Sequence, residues 1–162
     1  MILVTVGTQL PFDRLVKYMD TIAAEIDEEV VAQIGKTTYA PKSMRFYERL
    51  SPVEFDELGR AARIIVSHAG IGTILSARRY GKPIVVVPRL ALHGEHRNDH
   101  QIATCEQLIG VAGIQVQMEL DGLGDRIMTA EYTQTFSHGV NQRKKNLIEF
   151  LKKYISVENE VR

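Results

Sequence analysis

The stretch Val66–Pro83, VSHAGIGTILSARRYGKP, decides how the rest of the chain is read. A β-branched apolar run predicts a strand over Arg63–Ser67. A helical pattern follows over Thr73–Tyr80 and stops at Gly81, and PIVVV, Pro83–Val87, predicts the next strand. Between the first strand and the helix stand Ser67, His68, Gly70, Gly72 and Thr73. Two glycines at a helix start leave main-chain N–H groups bare, and such an end attracts anions. The helix dipole adds about 0.3–1 kcal/mol toward a negative ligand. These residues favour a phosphate-bearing ligand. The alternative is that the glycines only let the helix pack closely on the sheet, and His68 by itself is an ordinary structural histidine.

The same alternation extends outward in both directions. Strands are expected over Ile2–Val6, Glu29–Ile34, Ser43–Tyr47 and Ile114–Gln117. Helices are expected over Phe12–Ile26, Asn98–Leu108 and Asp121–Ala130, with Leu15, Met19, Ile22 and Ile26 on one side of the first. Pro52–Ala62 reads as a helix with Ser51 as N-cap, Pro at the first helical position and Glu54 in the first turn. Asn141–Ile155 carries Leu147, Leu151, Tyr154 and Ile155 on one stripe, with Arg143, Lys144, Lys145, Lys152 and Lys153 beside it. That basic face fits a solvated helix packed on the sheet, or docking on anionic lipid or a partner. Buried-type strands alternating with helices predict an α/β, Rossmann-like, doubly wound and mostly parallel sheet. One domain over 1–162 is expected, with 140–162 a C-terminal helix and tail.

Twenty basic and twenty acidic residues cancel, so bulk charge points away from a nucleic-acid partner. Cys105 stands alone, which excludes an intrachain disulfide and fits a reducing cytoplasm. MILVTVGTQ lacks the basic region and cleavage site of a secretory leader, and no apolar run approaches the length of a bilayer span.

In such a sheet ligands gather beyond the carboxyl ends of the strands, so three loops matter. They are Gly7–Asp13, Ser67–Thr73 and Pro88–Gln101, PRLALHGEHRNDHQ. None contains a Walker sequence or a complete dinucleotide fingerprint, which argues against a nicotinamide cofactor. The third loop gathers His93, Glu95, His96, Asp99 and His100 within eight positions. Imidazoles and carboxylates ligate zinc, but Arg97 breaks the H-E-x-x-H pattern. A rim of donors and acceptors for a polyhydroxyl ligand is the competing reading, carried by Asp99, His100 and Gln101. A solvated loop is the third.

Taken in order, VTVGTQLPFDRLV, IIVSHAGIGTILSARRYGKPIVVVPR and GEHRNDHQ resemble the C-terminal, nucleotide-sugar-binding half of family 28 glycosyltransferases. The likeness covers about the first two-thirds of the chain. Within the family it is nearest to the small catalytic subunits of bacterial exopolysaccharide glycosyltransferases of the PssE type. These are similar to the catalytic subunit of the eukaryotic two-part transferase that adds the second N-acetylglucosamine to dolichol diphosphate.

The resemblance implies the donor-binding half of a GT-B fold and a UDP-sugar donor. It implies that Gly7, Thr8 and Gln9 line the phosphate side of the cleft, and that Ser67, His68, Gly70, Gly72 and Thr73 hold the diphosphate. It places Asp99, His100 and Gln101 at the sugar hydroxyls and the base near Tyr47–Ser51. Ser76 stands where relatives commonly carry a glutamate for the ribose, so a single hydroxyl replaces a two-pronged acceptor. No Asp-x-Asp pair is present to hold a divalent ion, so no metal or other cofactor is expected and inversion at the anomeric carbon is. Asp13, Glu95 and His96 are the candidates for the base that deprotonates the acceptor. Arg89 and Arg97 stand near enough to meet a sugar carboxylate.

Two Rossmann-like domains need more chain than this, so a separate, membrane-anchored acceptor-binding subunit is expected. It would present a lipid-diphosphate-linked saccharide and recruit this cytoplasmic chain to the inner face of the plasma membrane. The alternative is a non-catalytic UDP-sugar-binding module that regulates a larger synthase. A metal-dependent hydrolase built on the histidine cluster is the third reading.

Overall fold

Strand and helix signals resolve, in a computed structural model that describes residues 1–130, into one six-stranded sheet. The strands are β1 (Ile2–Thr5), β2 (Val30–Gln33), β3 (Arg45–Tyr47), β4 (Ile64–His68), β5 (Ile84–Val87) and β6 (Ile114–Val116). The helices are α1 (Asp13–Glu25), α2 (Pro52–Ala61), α3 (Ile71–Tyr80), α4 (His100–Leu108) and α5 (Leu123–Thr129), with a short 3₁₀ turn at Ala91–His93. The helix expected over 141–155 and the tail to 162 lie outside the described residues, so the extent of the domain is described to residue 130.

The strand order is β3-β2-β1-β4-β5-β6, and all five pairings are parallel. This is the 3-2-1-4-5-6 order of dinucleotide-binding sheets, and it reverses direction between β1 and β4. The loops leaving those two strands therefore diverge and open a crevice at their carboxyl ends.

β1, β2 and β5 are buried at every residue, and β4 at all but His68. Alternate strand residues Ile2, Val4, Ile64, Val66, Val85 and Val87 join Leu15, Val16 and Met19 of α1 and Leu123 and Ile127 of α5 in one apolar core. Leu3, Val31, Ile65 and Val86 are also buried and lie outside that cluster, so the sheet is covered on both faces. Each such side chain contributes about 1.5–3 kcal/mol by leaving water. That is why these strands read as continuous apolar runs rather than alternating ones.

The ends of the expected elements move by a residue or two, and two shifts have plain causes. Gly70, extended at φ −93 and ψ 123, is the N-cap of α3, so the helix starts at Ile71 and Gly72 lies inside its first turn. Asp99 turns its side chain to the Ala91 N–H, and α4 starts at His100 instead of Asn98. α2 begins as expected. Ser51 accepts from the Glu54 N–H while the Glu54 carboxylate accepts from the Ser51 N–H, a closed capping box.

Candidate functional site

β4 ends in His68, whose imidazole folds back over the crevice between the first two loops. A Cβ added to Gly7 would stand 3.1 Å from His68 Cε1, and one added to Gly70 would stand 2.7 Å from the same atom and collide with Nε2. Gly7 also has φ +72, a conformation that favours glycine. Both glycines thus make room for the ring, one on each side of the switch point. Burial, then the charge of Arg89, holds the His68 pKa down at about 4, against the action of a main-chain bond at Thr5. The ring is neutral at physiological pH. Ser67, expected against the diphosphate, is instead fully buried, with its hydroxyl 3.4 Å from His68 Nδ1. It lies behind the histidine, not on the rim.

The start of α3 is open. The Gly70 N–H turns back onto the His68 carbonyl at 2.7 Å and is not free for a ligand, which corrects the expectation for that amide. The next three amides, of Ile71, Gly72 and Thr73, belong to the first turn, which cannot satisfy them internally, and no side chain caps the helix. A Cβ at Gly72 would meet nothing within 4 Å, so close packing does not explain that glycine. Thr73 and Ser76 are half-exposed and three residues apart, hence on one helix face. Thr8 and Gln9 stand exposed on the opposite side of the crevice.

The third loop is tied to the first by two arginines that reach across in opposite directions. Arg14, in the first turn of α1, donates to both carboxylate oxygens of Glu95 at 2.9 and 3.0 Å and to the Pro88 carbonyl at 3.1 Å. Arg89, directly after β5, donates to the Val6 and Leu10 carbonyls at 2.6 and 2.7 Å. Both guanidinium groups lie beside the buried Phe12 ring, at 5.4 and 5.2 Å from its centroid. The Arg89 N–H donates to Gln101 Oε1 at 3.0 Å. A cleft of about 190 Å³, lined by Pro11, Asp13, Arg14, His93, Gly94 and Glu95, lies beside this brace.

The brace corrects several sequence expectations. Glu95 is 6% exposed and accepts from the Leu90 N–H as well as from Arg14, so it is a buried structural anion and not an available base. Asp13 uses one oxygen to hold the Thr38 and Tyr39 amides and the Thr38 hydroxyl, organising that loop. Arg89, at 4% exposure, is turned inward and cannot meet a sugar carboxylate; Arg97 is exposed.

His96 is the base candidate with an open nitrogen: Asn98 engages Nδ1, with both its oxygens at 3.0 Å and its N–H at 3.4 Å, and Nε2 is the nitrogen left over. Asp99 keeps one oxygen without a partner, and Gln101 keeps its NH₂ group. His100 is exposed at the start of α4. Among the described residues no three His, Cys, Asp or Glu side chains come together as a metal cluster. Tyr47, near the expected base site, is partly exposed at the end of the edge strand β3.

Sequence reasoning missed Arg14 and the inward turn of Arg89. The one local signal was an arginine placed directly after a fully apolar strand and a proline. Among the described residues no helix is long and apolar enough to cross a membrane.

Comparisons with known proteins agree with this fold. The model of the glycosyltransferase family 28 C-terminal domain matches residues 1–138. A curated relative, the UDP-N-acetylglucosamine transferase subunit ALG13 of Yarrowia lipolytica, is 26% identical over 142 residues, covering 76% of this chain and 68% of its own. The NMR solution structure of ALG13 superposes with a TM-score of 0.56 at 14% identity, covering 82% of this chain and 86% of that one. The Streptomyces glycosyltransferase SsfS6, crystallised with thymidine diphosphate, gives a TM-score of 0.58 at 21% identity over 80% of this chain. This chain spans 33% of that transferase. The fold is thus that of one half of a GT-B glycosyltransferase, and the chain belongs to the glycosyltransferase family 28 C-terminal domain family.

Proposed function

We propose that this chain is the donor-binding catalytic subunit of a two-component, inverting glycosyltransferase that moves a hexosyl group from a UDP-sugar to a lipid-diphosphate-linked acceptor. The observation that carries the reading is the uncapped start of α3 at the switch point, with a neutral histidine seated between Gly7 and Gly70. The curated relative's printed name, a UDP-N-acetylglucosamine transferase subunit, supports both the donor class and a partner. SsfS6, which shares this fold, was crystallised with a nucleoside diphosphate, and this supports a ligand of that class.

In the proposed reaction the bond between the anomeric carbon and the β-phosphate oxygen breaks, and its electron pair leaves with UDP. The amides of Ile71, Gly72 and Thr73, aided by the helix dipole, stabilise the negative charge that builds there. The acceptor oxygen attacks the opposite face of the sugar, and its proton passes to the unprotonated Nε2 of His96. The Gln101 amide and the free Asp99 oxygen meet sugar hydroxyls. With the amides and dipole facing the leaving group and no Asp-x-Asp in the chain, transfer proceeds without a divalent ion. A membrane-anchored acceptor subunit completes the cleft and holds this chain at the cytoplasmic face, in exopolysaccharide synthesis.

Calorimetric titration with UDP and a panel of UDP-sugars, with and without the partner, tests the reading. UDP binding by the chain alone and transfer only with the partner are expected, unchanged by EDTA. Absence of UDP binding refutes it, and EDTA inactivation reversed by manganese refutes the metal-free step. Because Asp13 and Glu95 are held in structural bonds, a non-catalytic UDP-sugar-binding module is the second reading. It predicts that His96, His100 and Gln101 substitutions leave the turnover of the complex unaltered.

A further inference from the structure

Arg14, Arg89 and Glu95 form a buried or half-buried group of two cations and one anion under the rim. Glu95 is engaged in a two-pronged bond with Arg14, so the pair is neutral and Arg89 is the excess charge. Burial pulls the Arg89 pKa down to about 10 and outweighs the field of Glu95, which also acts on Arg89. Two of the five Arg89 N–H groups are used, both on Nη2, toward Val6 and Leu10. Its Nε–H is buried without an acceptor among the described residues.

Burying an unbalanced cation costs several kcal/mol, and leaving a donor unpaired costs more. The Val6 and Leu10 carbonyls account for Nη2 but leave the buried Nε–H without an acceptor among the described residues. The charge is therefore best explained by an anion that arrives later. Its field already reaches the diphosphate side of the crevice, since Arg89 is one of the charges acting on His68. The carbonyls it grips, Val6 and Leu10, bracket the segment that carries Gly7, Thr8 and Gln9.

We propose that Arg89 is a positioning residue for the diphosphate, fixing the Gly7–Gln9 loop from behind and lending its unbalanced charge to the phosphates without touching them. Neither Asp13 nor the exposed Arg97 does this, because one is an anion and the other is not tied to the loop. The inference rests on the donor reading above and adds to it a residue that reads the charge of the ligand.

The full chain and its Arg89→Met and Arg89→Lys variants are titrated with UDP and with uridine, followed by NMR chemical shifts. Arg89→Met is expected to weaken UDP at least about tenfold while uridine changes less than about twofold, and Arg89→Lys to restore UDP to within about threefold of the parent. A role in folding stability alone would not move the ratio of UDP to uridine, and rescue by lysine separates the charge from the geometry of the brace. Equal UDP affinity in the Met variant overturns the proposal, as does equal loss of both ligands without rescue by lysine. If the Met variant does not fold, Arg89→Lys decides: retained UDP binding supports the charge, and loss of UDP with uridine retained overturns it, as does loss of both. If the unaltered chain binds uridine but not UDP, the donor reading fails and this inference with it; if it binds UDP and the Met variant does too, only this inference fails.

Discussion

The imidazole of His68 occupies the space that a side chain at position 70 would need, with Cε1 2.7 Å from a Cβ built there and Nε2 in collision with it, whereas a Cβ at position 72 would meet nothing within 4 Å. Two glycines that look equivalent in the sequence thus have different duties. Gly70→Ala forces the ring or the strand end to shift and is expected to cost about 1–3 kcal/mol. Gly72→Ala is expected to stabilise the fold by about 0.4–1 kcal/mol, because alanine suits a helical turn and has room. In the proposed cradle the added methyl crowds a diphosphate at the first-turn amides and is expected to weaken UDP binding. Urea denaturation and UDP titration of both variants check the pair: a Gly72→Ala chain that is more stable and binds UDP unchanged contradicts the cradle.

His68 makes stability depend on pH. Its folded pKa of about 4 lies below the ordinary value of 6.5, chiefly because burial disfavours the charged ring. The unfolded chain takes up a proton between those values that the folded chain refuses. The contribution is therefore complete above about pH 6.5 and is lost as pH falls toward 4, with a slope of at most about 1.4 kcal/mol per pH unit. Denaturation curves from pH 7 to pH 4 for the parent and His68→Asn measure it. The variant is expected to lose that part of the slope, and parallel curves would contradict the buried neutral ring.

Much of this architecture is written locally. IIVSH followed by AGIG ends a strand and opens a helix with no other element needed, and Ser51-Pro52-Val53-Glu54 contains its own capping box. The site is less legible because side-chain direction is set by distant partners. Glu95 and His96 are neighbours in a polar run, yet Glu95 is drawn inward by Arg14, 81 residues away, and His96 turns to Asn98. Ser67 belongs to a strand buried on both faces, so the alternation that marks inside and outside in a half-exposed strand is missing. Arg89 finds its acceptors 79 and 83 residues away. No local pattern encodes those pairings.

The Arg14–Glu95 bond joins the first and third loops and predicts a large stability effect. Glu95→Gln removes the anion that pairs with Arg14 and whose field also acts on Arg89. Loss of one partner of a buried pair costs about 3–5 kcal/mol, and here the partly open Arg14 side reduces that to about 3 kcal/mol. Thermal unfolding should show the drop, and Arg14→Met should show a similar one. If Glu95→Gln were as stable as the parent but catalytically dead in the two-chain enzyme, Glu95 would be a base after all.

His96 carries the remaining chemistry. Asn98 engages Nδ1 through its two oxygens at 3.0 Å, and in the Nδ1–H form the lone pair on Nε2 is available to an acceptor hydroxyl. In the reconstituted two-chain enzyme His96→Ala is expected to lower kcat by about 10²–10⁴, the usual range for a lost general base, with UDP affinity unchanged. Asn98→Ala removes the side-chain half of the anchor while the Asn98 carbonyl still accepts, so the tautomer preference weakens and the loss should be smaller. A His96→Ala enzyme within twofold of the parent would move the base to the partner subunit.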